Sequence, residues 1–279
     1  MKILVAGASG AIGSPLLDLL IQKGHEVYGI TQSKERAAAI VKKGAHPVIL
    51  NILEQEAVDA AVASIQPDTI IDMLTHLPKE YTPESMRAAA ELDAKVRLEG
   101  GGHLLNASRR HDVKRYIAQS SAFWYAPGDG LADENNAFAF NASPGIAAGS
   151  HVYAEIENRI LTSNIPEGIA MRFGFFYGPG TWFHPQGNMA DQIRHKQFSG
   201  IGKGEGVWNF VHIEDAAEAV TLALHCAPGA YNIVNDHPSK MKEWLPQLPV
   251  ILELSHPDGF LKSKDSWKMV QILFTTPPN

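Results

Sequence analysis

The sequence contains a single cysteine, Cys226, among its 279 residues. A disulfide within the chain and a cysteine-based zinc site are therefore both excluded. The twelve histidines are scattered and never show a spacing typical of two metal ligands on one helix. We therefore expect no metal site.

Positive charge and long apolar runs are also scarce. Charged residues make up 19% of the chain, the formal net charge is −6, and Lys and Arg form no run. A protein that binds a polyanion usually has a basic face, so nucleic acid is not an expected partner. The apolar stretch at the N-terminus is too short for a signal peptide, and no stretch approaches the length of a membrane span. The sequence predicts a soluble, cytoplasmic protein with no membrane partner.

Short apolar runs alternate with helical patterns over the first 120 residues. The runs are typical of strands buried on both faces and lie at 3–6, 26–30, 46–50, 69–73 and 115–119. Helical patterns separate them, the last of which covers 84–110. This alternation predicts an α/β fold with a Rossmann-like, doubly wound parallel sheet.

The order is looser after residue 120. Loop-rich sequence at 141–149 precedes a helix expected at 150–163, and further elements are expected up to a strand at 230–234. Residues 1–175 are expected to form the dinucleotide-binding core, with strands of about 205–235 returning to it. Residues 176–279 are expected to form mostly a small C-terminal substrate lobe, in which prolines interrupt the pattern from Pro246 onward.

A glycine-rich turn follows the first strand and opens the first helix, with the sequence Gly7-Ala8-Ser9-Gly10-Ala11-Ile12-Gly13. In such a turn Gly7 permits the tight bend, Gly10 lets a pyrophosphate approach the backbone, and Gly13 lets the helix lie close to the sheet. The phosphates then meet N–H groups at the positive end of the helix. The motif predicts a dinucleotide site formed by Gly7, Ser9, Gly10, Ala11, Ile12 and Gly13.

The end of the second strand distinguishes NADP from NAD. An acidic residue there would bind the ribose 2′-hydroxyl of NAD, but the chain has Gln32, Ser33 and Lys34, followed by Arg36. Both cations are suited to a 2′-phosphate, so NADP is the preferred cofactor and NAD the alternative, although a solvated helix start would look the same. Three further cofactor contacts are expected at strand ends, from Asn51, Leu74 and Phe173.

These motifs resemble the extended short-chain dehydrogenases of the NAD-dependent epimerase/dehydratase family, from Met1 to about Leu245. Besides the glycine turn, the resemblance rests on the following segments in order: Gln-Ser-Ser-Ala-Phe-Trp-Tyr at 119–125, Arg-Phe-Gly-Phe-Phe-Tyr-Gly-Pro-Gly at 172–180, Phe-Val-His-Ile-Glu-Asp at 210–215 and Tyr-Asn-Ile at 231–233. The resemblance implies a Rossmann core, a smaller C-terminal lobe, and a homodimer formed through the helices at about 84–110 and 150–163.

The resemblance also implies a catalytic set. Ser121 matches the family's Ser or Thr that binds the reacting oxygen, and Tyr153 matches its acid/base Tyr. The Lys expected four residues later is replaced by Glu157. A carboxylate there raises the pKa of Tyr153, whereas a Lys would lower it, so Tyr153 either donates a proton or only lines the pocket. Arg97 stands where the family has an Asn, and we hypothesise that it pairs with Glu157 beside the nicotinamide ribose.

Aromatic residues mark the expected substrate side. Phe123, Trp124, Trp182 and Trp208 lie on loops at the carboxyl ends of strands, and Asn188 is a polar candidate nearby. Trp208 occupies a place where relatives that act on nucleotide-sugars often have an Arg, so a phosphate-binding cation is missing there.

Three functions remain open at this point. The first is an NAD(P)-dependent oxidoreductase that acts on a carbonyl or alcohol of a small, partly apolar substrate, and we favour it. The second is a nucleotide-sugar epimerase or dehydratase. The third is a non-catalytic dinucleotide sensor, because the family Lys is absent.

Overall fold

The structure is a computed structural model, and it describes residues 1–195, 197–198, 202–236 and 238–247. The described strands are β1 (Lys2–Ala6), β2 (Glu26–Thr31), β3 (His46–Ile49), β4 (Thr69–Asp72), β5 (Arg115–Ser121), β6 (Glu167–Phe173), β7 (Phe175–Tyr177), β8 (Val207–Trp208), β9 (Phe210–His212), β10 (Gly229–Ile233) and β11 (Ser239–Lys240). The described α-helices are α1 (Gly13–Gln22), α2 (Lys34–Lys42), α3 (Gln55–Ile65), α4 (Pro83–Lys95), α5 (Gly101–Arg110), α6 (Pro144–Leu161), α7 (Asn188–Arg194), α8 (Ile213–Leu222) and α9 (Met241–Trp244).

Seven strands form one parallel sheet in the order β10-β6-β5-β4-β1-β2-β3. The chain starts at β1 and continues outward in both directions, which is the doubly wound arrangement expected from the sequence. The strand order reverses between β1 and β4, so a crevice opens there above the carboxyl ends of the strands. The predicted Rossmann-like α/β fold is confirmed.

The sheet is buried on both faces. One core joins the sheet to α1, α2 and α8, and the other joins it to α3, α5 and α6. Residues Ile3 to Val5 of β1 are fully buried, as expected for a strand covered on both sides. No helix in the described part of the chain is long and apolar enough to cross a membrane.

A smaller lobe lies beside the main sheet. It contains the parallel pair β7–β9, the antiparallel pair β8–β11, and α7 and α9, around a cluster of mostly aromatic side chains. From this region the chain returns to the main sheet through β10, which pairs with β6. The expected lobe segment at 249–279 lies outside the described residues.

One helical prediction needs correction. The helix expected at 150–163 begins earlier, at Pro144, and includes Gly145 and Gly149 from the stretch expected to be loop. Proline is well suited to the first turn of a helix because its φ angle is already helical and its missing N–H has no partner there. The helical region expected at 84–110 is present, and it consists of α4 and α5 joined by a π-helical turn at Val96–Gly100.

Candidate active site

The glycine turn has the geometry that a dinucleotide site requires. Gly7 has a φ of +77°, and a Cβ atom there would lie 2.4 Å from the Met73 carbonyl oxygen. A Cβ on Gly13 would lie 2.2 Å from the Gly7 carbonyl oxygen. Both positions therefore exclude a side chain, and the turn, α1 and the loop after β4 lie in close contact at the reversal point of the sheet.

The first turn of α1 is open to a ligand. Its N-cap residue, Ile12, provides no side-chain hydrogen bond to the helix N–H groups. The Gly10 amide donates to the Gly7 carbonyl at 2.9 Å, which closes the turn, and Gly10 itself is exposed. The side chains of Ala8 and Ile12 are buried, so the residues that approach a pyrophosphate do so through their backbone.

The end of β2 carries the residues expected to select the cofactor. Ser33 caps α2, its hydroxyl accepting from the Arg36 amide at 3.1 Å, and Lys34 lies beside it at the start of the helix. The side-chain amide of Gln32 donates to Asn51 Oδ1 at 3.2 Å, so these two predicted cofactor residues lie together. No carboxylate hydrogen bonds to this turn in the described part of the chain.

Two other predicted cofactor residues occupy different surroundings. The Leu74 amide donates to Asp72 Oδ1 at 3.1 Å, which orders the chain just after β4. The side chain of Phe173 is only 1% exposed and belongs to the core against α1 and α8. Its backbone carbonyl, which accepts from the Ala122 amide, is the part of this residue that reaches the edge of the sheet. The contact of Phe173 with the cofactor stays a prediction.

Asp72 is buried at the same edge. Its carboxylate accepts from the Tyr116 hydroxyl at 2.8 Å. Burial raises the pKa of Asp72, and the two hydrogen bonds and the charge of Arg97 oppose that shift only in part. A Cβ on Gly101 would lie 2.8 Å from Asp72 Oδ2, so the glycine lets α5 approach this carboxylate.

Glu157 belongs to a buried network beneath the sheet edge. Arg172 donates to both of its carboxylate oxygens at 2.8 and 2.7 Å, and Ser120 donates at 2.5 Å. Arg172 also donates to the Tyr125 hydroxyl at 2.7 Å, and the two charged side chains are each 7% exposed. The network joins β5, α6 and β6 just behind the ends of the strands.

The hypothesised pair between Arg97 and Glu157 is wrong. Among the described residues they form no ion pair with each other, because Glu157 is held by Arg172 and Arg97 pairs with Asp93 at 2.8 Å. Arg97 lies in the π-helical turn, and its guanidinium carbon is 5.2 Å from the centre of the Tyr153 ring. Burial works against the charge of Arg97, but Tyr153, Asp93 and Asp72 outweigh that effect and raise its pKa.

Tyr153 therefore lies beside a cation that comes from a different helix. It is 8% exposed, and its ring stacks on Trp124 at 6.3 Å between centres. Burial raises the pKa of Tyr153, while Arg97 and Trp124 lower it and Asp93 raises it further. The net effect is a raised pKa, which keeps this phenol protonated near neutral pH and suits it to donate a proton.

Ser121 ends β5 and is 2% exposed. Its hydroxyl oxygen lies 3.5 Å from the Phe123 amide, which donates to it. The residues that follow, Phe123 and Trp124, continue along the same edge, so the predicted oxygen-binding serine and the predicted aromatic wall share one loop.

A continuous ring stack stands at this edge. Phe123 stacks on Phe175 at 4.5 Å, and Phe175 stacks on Trp208 at 4.3 Å. Behind them Phe183, Phe210 and Trp244 form the aromatic core of the small lobe. Phe123 is 40% exposed, so the stack ends at the protein surface.

Trp182 and Asn188 use their polar atoms to hold a neighbouring loop. The Trp182 indole donates to the Pro78 carbonyl at 3.1 Å, and Asn188 Oδ1 accepts from the Tyr81 amide at 2.7 Å. Gln192 donates to the same Asn188 oxygen. The structure thus brings both residues to the lobe beside the ring stack, and their contact with a substrate stays a prediction.

Comparison with known proteins identifies a family model and related enzymes that match most of this chain. A model of the NAD dependent epimerase/dehydratase family matches residues 3–234. A 3-diazoavenalumate denitrifying reductase from a Streptomyces species is 34% identical over 251 residues, which cover 88% of this chain and 80% of the relative. A 4-hydroxy-2-methyl-3-oxo-4-farnesyl-3,4-dihydroquinoline-1-oxide ketoreductase from Stigmatella aurantiaca is 25% identical over 253 residues, which cover 88% and 71% of the two chains.

Among solved structures, the UDP-glucose 4-epimerase of Thermus thermophilus in complex with NAD has a TM-score of 0.69. It is 22% identical, and the match covers 91% of this chain and 84% of the epimerase chain. The fold and the glycine turn define a dinucleotide-dependent enzyme with a Rossmann core. The chain belongs to the NAD-dependent epimerase/dehydratase family and is an NAD-dependent enzyme of the oxidoreductase type, as the resemblance implied.

Sequence reasoning missed three parts of this site. The motif at 172–180 contains Arg172 but does not identify it as the partner of Glu157, and the resemblance does not identify Asp93 as the partner of Arg97. The loop-rich pattern at 141–149 hides the helical position of Gly149, which lies against Trp124. A signal for Asp93 did exist, because Asp and Arg four residues apart on a helix form a common ion pair.

Proposed function

We propose that this enzyme is a reductase that uses NADPH or NADH to reduce a carbonyl-type group on a planar, largely apolar substrate. The ring stack of Phe123, Phe175 and Trp208 is the observation that carries the proposal. Aromatic rings prefer offset stacking on a further ring, and the Phe123 ring at the end of the stack is 40% exposed and lies two residues after Ser121. The substrate's reducible group would then lie near the expected nicotinamide end of the site.

The same lobe is poorly suited to a nucleotide-sugar. Binding a diphosphate in an apolar cleft generally requires a positioned cation. The exposed Lys240 and Lys242 both pair with Glu205, and Arg194 pairs with Asp191. In the part of the lobe that the structure describes, none of these cations belongs to the ring stack.

Two relatives support reduction over epimerisation. The Streptomyces protein is named as a reductase of a diazo compound, and the Stigmatella protein as a ketoreductase of a dihydroquinoline. Both names specify net reduction, and the second specifies a ring system that would suit an aromatic wall.

The test follows oxidation of NADPH and NADH by their ultraviolet absorbance with a panel of aromatic ketones, quinones and diazo compounds. A thermal-shift assay with UDP- and dTDP-sugars runs in parallel. We expect turnover with at least one planar substrate and no stabilisation by the nucleotide-sugars. Stabilisation by a nucleotide-sugar, with no turnover on the panel, would replace this proposal with an epimerase or dehydratase.

A matched pair of variants tests the ring stack. Phe123→Leu removes the exposed ring at the end of the stack, whereas Phe140→Leu removes a ring of nearly equal exposure, 39%, that packs on Phe138 and His151 instead. Loss of one aromatic contact of about 1 kcal/mol should raise KM about fivefold in the first variant. Equal effects in both variants would contradict binding at the stack.

We also propose a preference for NADP(H), supported by the two cations at the start of α2, Lys34 and Arg36. Lys34→Ala should weaken NADPH binding more than NADH binding. Lys42→Ala, an exposed lysine in the last turn of the same helix, serves as the control. Equal loss of both cofactors in Lys34→Ala would show that the preference has another source. Calorimetric titration measures the four dissociation constants.

We further infer a homodimer through α4 and α6. No residue of α4 is buried, and Leu92 on α4 and Ile146 and Leu161 on α6 are each more than 40% exposed. Exposed apolar side chains on neighbouring helices suit a helical interface. Light scattering after gel filtration should give twice the mass of one chain, and Leu92→Asp should reduce the measured mass to that of one chain.

A further inference from the structure

The phenol of Tyr153 is held between two side chains from other elements. The guanidinium of Arg97 lies over its ring at 5.2 Å, and the indole of Trp124 stacks on it with an angle of 28° between the planes. Arg97 comes from the π-helical turn, and Trp124 comes from the loop after β5. Neither lies on α6, the helix that carries Tyr153.

The indole has room because residue 149 is a glycine. A Cβ there would lie 3.0 Å from Cη2 and from Cζ2 of Trp124, closer than almost all real contacts of a Cβ. Gly149 lies one turn before Tyr153 on the same helix, so the indole covers both positions. Gly145, one turn earlier, has nothing within 4 Å of a Cβ position.

The indole N–H of Trp124 is buried and has no hydrogen-bond partner among the described residues. The ring that carries this N–H stacks on the Tyr153 ring, and Trp124 opposes the effect of burial on the pKa of that phenol. A buried donor without a partner normally costs free energy, so such groups often mark a functional site. Here the donor belongs to the ring that covers the residue expected to move a proton.

Arg97 also retains donors for a ligand. Its Nε donates to Asp93, while its two terminal nitrogens form no hydrogen bond within the described part of the chain. Arginine has five N–H donors in a fixed plane, which is more than a single Asp93 contact uses. The remaining donors lie beside Tyr153, at the edge where the cofactor is expected.

We propose that Arg97 and Trp124 are positioning residues that together replace the family Lys, and that Gly149 is required to admit the indole. Arg97 supplies the positive charge beside Tyr153, and Trp124 supplies the donor that fixes the phenol oxygen. This inference rests on the proposed reductase function. A bound NAD(P)H would supply the hydride to the substrate carbon and become NAD(P)+, and the carbonyl electron pair would move to the substrate oxygen. The phenol proton of Tyr153 passes to that oxygen, Arg97 stabilises the tyrosinate that remains, and solvent returns the proton.

A double-mutant cycle tests whether Trp124 acts through Tyr153. Trp124→Phe keeps a ring and removes the N–H, and Tyr153→Phe removes the hydroxyl. We expect Trp124→Phe to lower kcat about 3- to 10-fold, as for loss of one hydrogen bond, and Tyr153→Phe to lower it about 100-fold. In the Tyr153→Phe background, Trp124→Phe should have no further effect on kcat. The same loss in both backgrounds, or no loss in either, would overturn the proposal.

Two glycine substitutions on α6 provide a second measurement. Gly149→Ala pushes the indole away from Tyr153 and should reduce kcat by a similar factor of about 3- to 10-fold, that of the lost N–H contact. Gly145→Ala makes the same substitution in the first turn of the same helix but has no neighbour to displace, and should leave kcat unchanged. Equal rates in the two variants would show that the indole position does not matter. Near-ultraviolet circular dichroism confirms in each case whether the Trp124–Tyr153 stack is altered.

The conservative variant Arg97→Lys separates charge from shape. It keeps the positive charge and loses the planar donors, so we expect KM for NADPH to rise more than kcat falls. Arg97→Met, which loses both, should lower kcat as well. Equal kcat and KM in Arg97→Lys and Arg97→Met would contradict a role for the positive charge of Arg97 beside Tyr153. If the wild-type enzyme reduces no substrate in the panel, the proposed reductase function fails. The double-mutant cycle of Trp124→Phe and Tyr153→Phe can then be measured on the NADPH dissociation constant, and coupling between the two variants still tests whether Trp124 positions Tyr153.

Discussion

The two ends of this site are built in different ways. At the cofactor end, Gly7 and Gly13 exclude side chains and present the backbone of the turn and of α1. At the reaction end, buried side chains from separate elements, such as Arg97, Trp124 and Tyr153, meet one another. At the cofactor end, the two glycines leave no room for a side chain. At the reaction end, the chemistry depends on which buried side chains contact one another.

This difference explains why one end follows the family pattern and the other departs from it. A backbone site requires only small residues in one short segment. A side-chain site can exchange a Lys on one helix for an Arg on another, provided that the charge reaches the same place. The predictions below alter one end at a time, from the largest expected effect to the smallest.

Gly13→Ala should have the largest effect on cofactor binding. The new methyl group would meet the Gly7 carbonyl at 2.2 Å and push α1 from the turn. We expect NADPH affinity to fall about 100-fold, or about 2.7 kcal/mol. Gly128→Ala, which has nothing within 4 Å of its Cβ position, is the control. Calorimetric titration measures both, and unchanged affinity in Gly13→Ala would contradict the backbone description.

Arg172→Met should have the largest effect on stability at the reaction end. It leaves the buried Glu157 carboxylate without its cation, which should lower the free energy of unfolding by about 3–5 kcal/mol. Adding Glu157→Leu removes the unpaired charge, so the double variant should recover much of the loss. Urea denaturation measures all three proteins. A double variant no more stable than Arg172→Met would show that the pair itself is required.

The rate of reduction should be nearly independent of pH over the neutral range. Burial raises the pKa of Tyr153, so the phenol stays protonated and able to donate. The rate should fall only at alkaline pH, above the ordinary tyrosine pKa of about 10. This fall should be absent in the residual activity of Tyr153→Phe. A loss of rate near neutral pH that depends on Tyr153 would contradict a protonated phenol.

Asp72→Asn should give the smallest effect, visible as a change in pH dependence. Burial raises the pKa of Asp72 above its usual 3.8, so the folded state holds this proton more tightly than the unfolded chain. Its contribution to stability is therefore greatest below the unfolded pKa and is lost as pH rises through the folded pKa. The free energy of unfolding of wild type, relative to Asp72→Asn, should decline as the pH rises from about 4 towards neutral. Parallel curves would show that the pKa of Asp72 does not change on folding.

The sequence was sufficient for the sheet and the glycine turn because both depend on local patterns. Apolar runs such as Ile3 to Ala6 and glycines at fixed spacing carry their own signal. The partners of Glu157 and Arg97 were not predictable in this way. Arg172 lies 15 residues beyond Glu157, and the two meet because α6 packs against β6. Trp124 and Gly149 meet because a loop folds back onto α6, which no periodic pattern encodes.

The π-helical turn at Val96–Gly100 has a further consequence for how this site can vary. A π turn contains one residue more than an α turn, so deletion of one residue there could restore a regular α-helix. Because the wider turn takes up the extra residue, the deletion would leave α4 and α5 in nearly the same orientation and would rearrange the side chains of the turn itself. Arg97 would then leave the Tyr153 ring while the sheet and the glycine turn stayed unchanged. A one-residue length change in this helix is thus a short mutational route between chains that do and do not hold a cation over Tyr153.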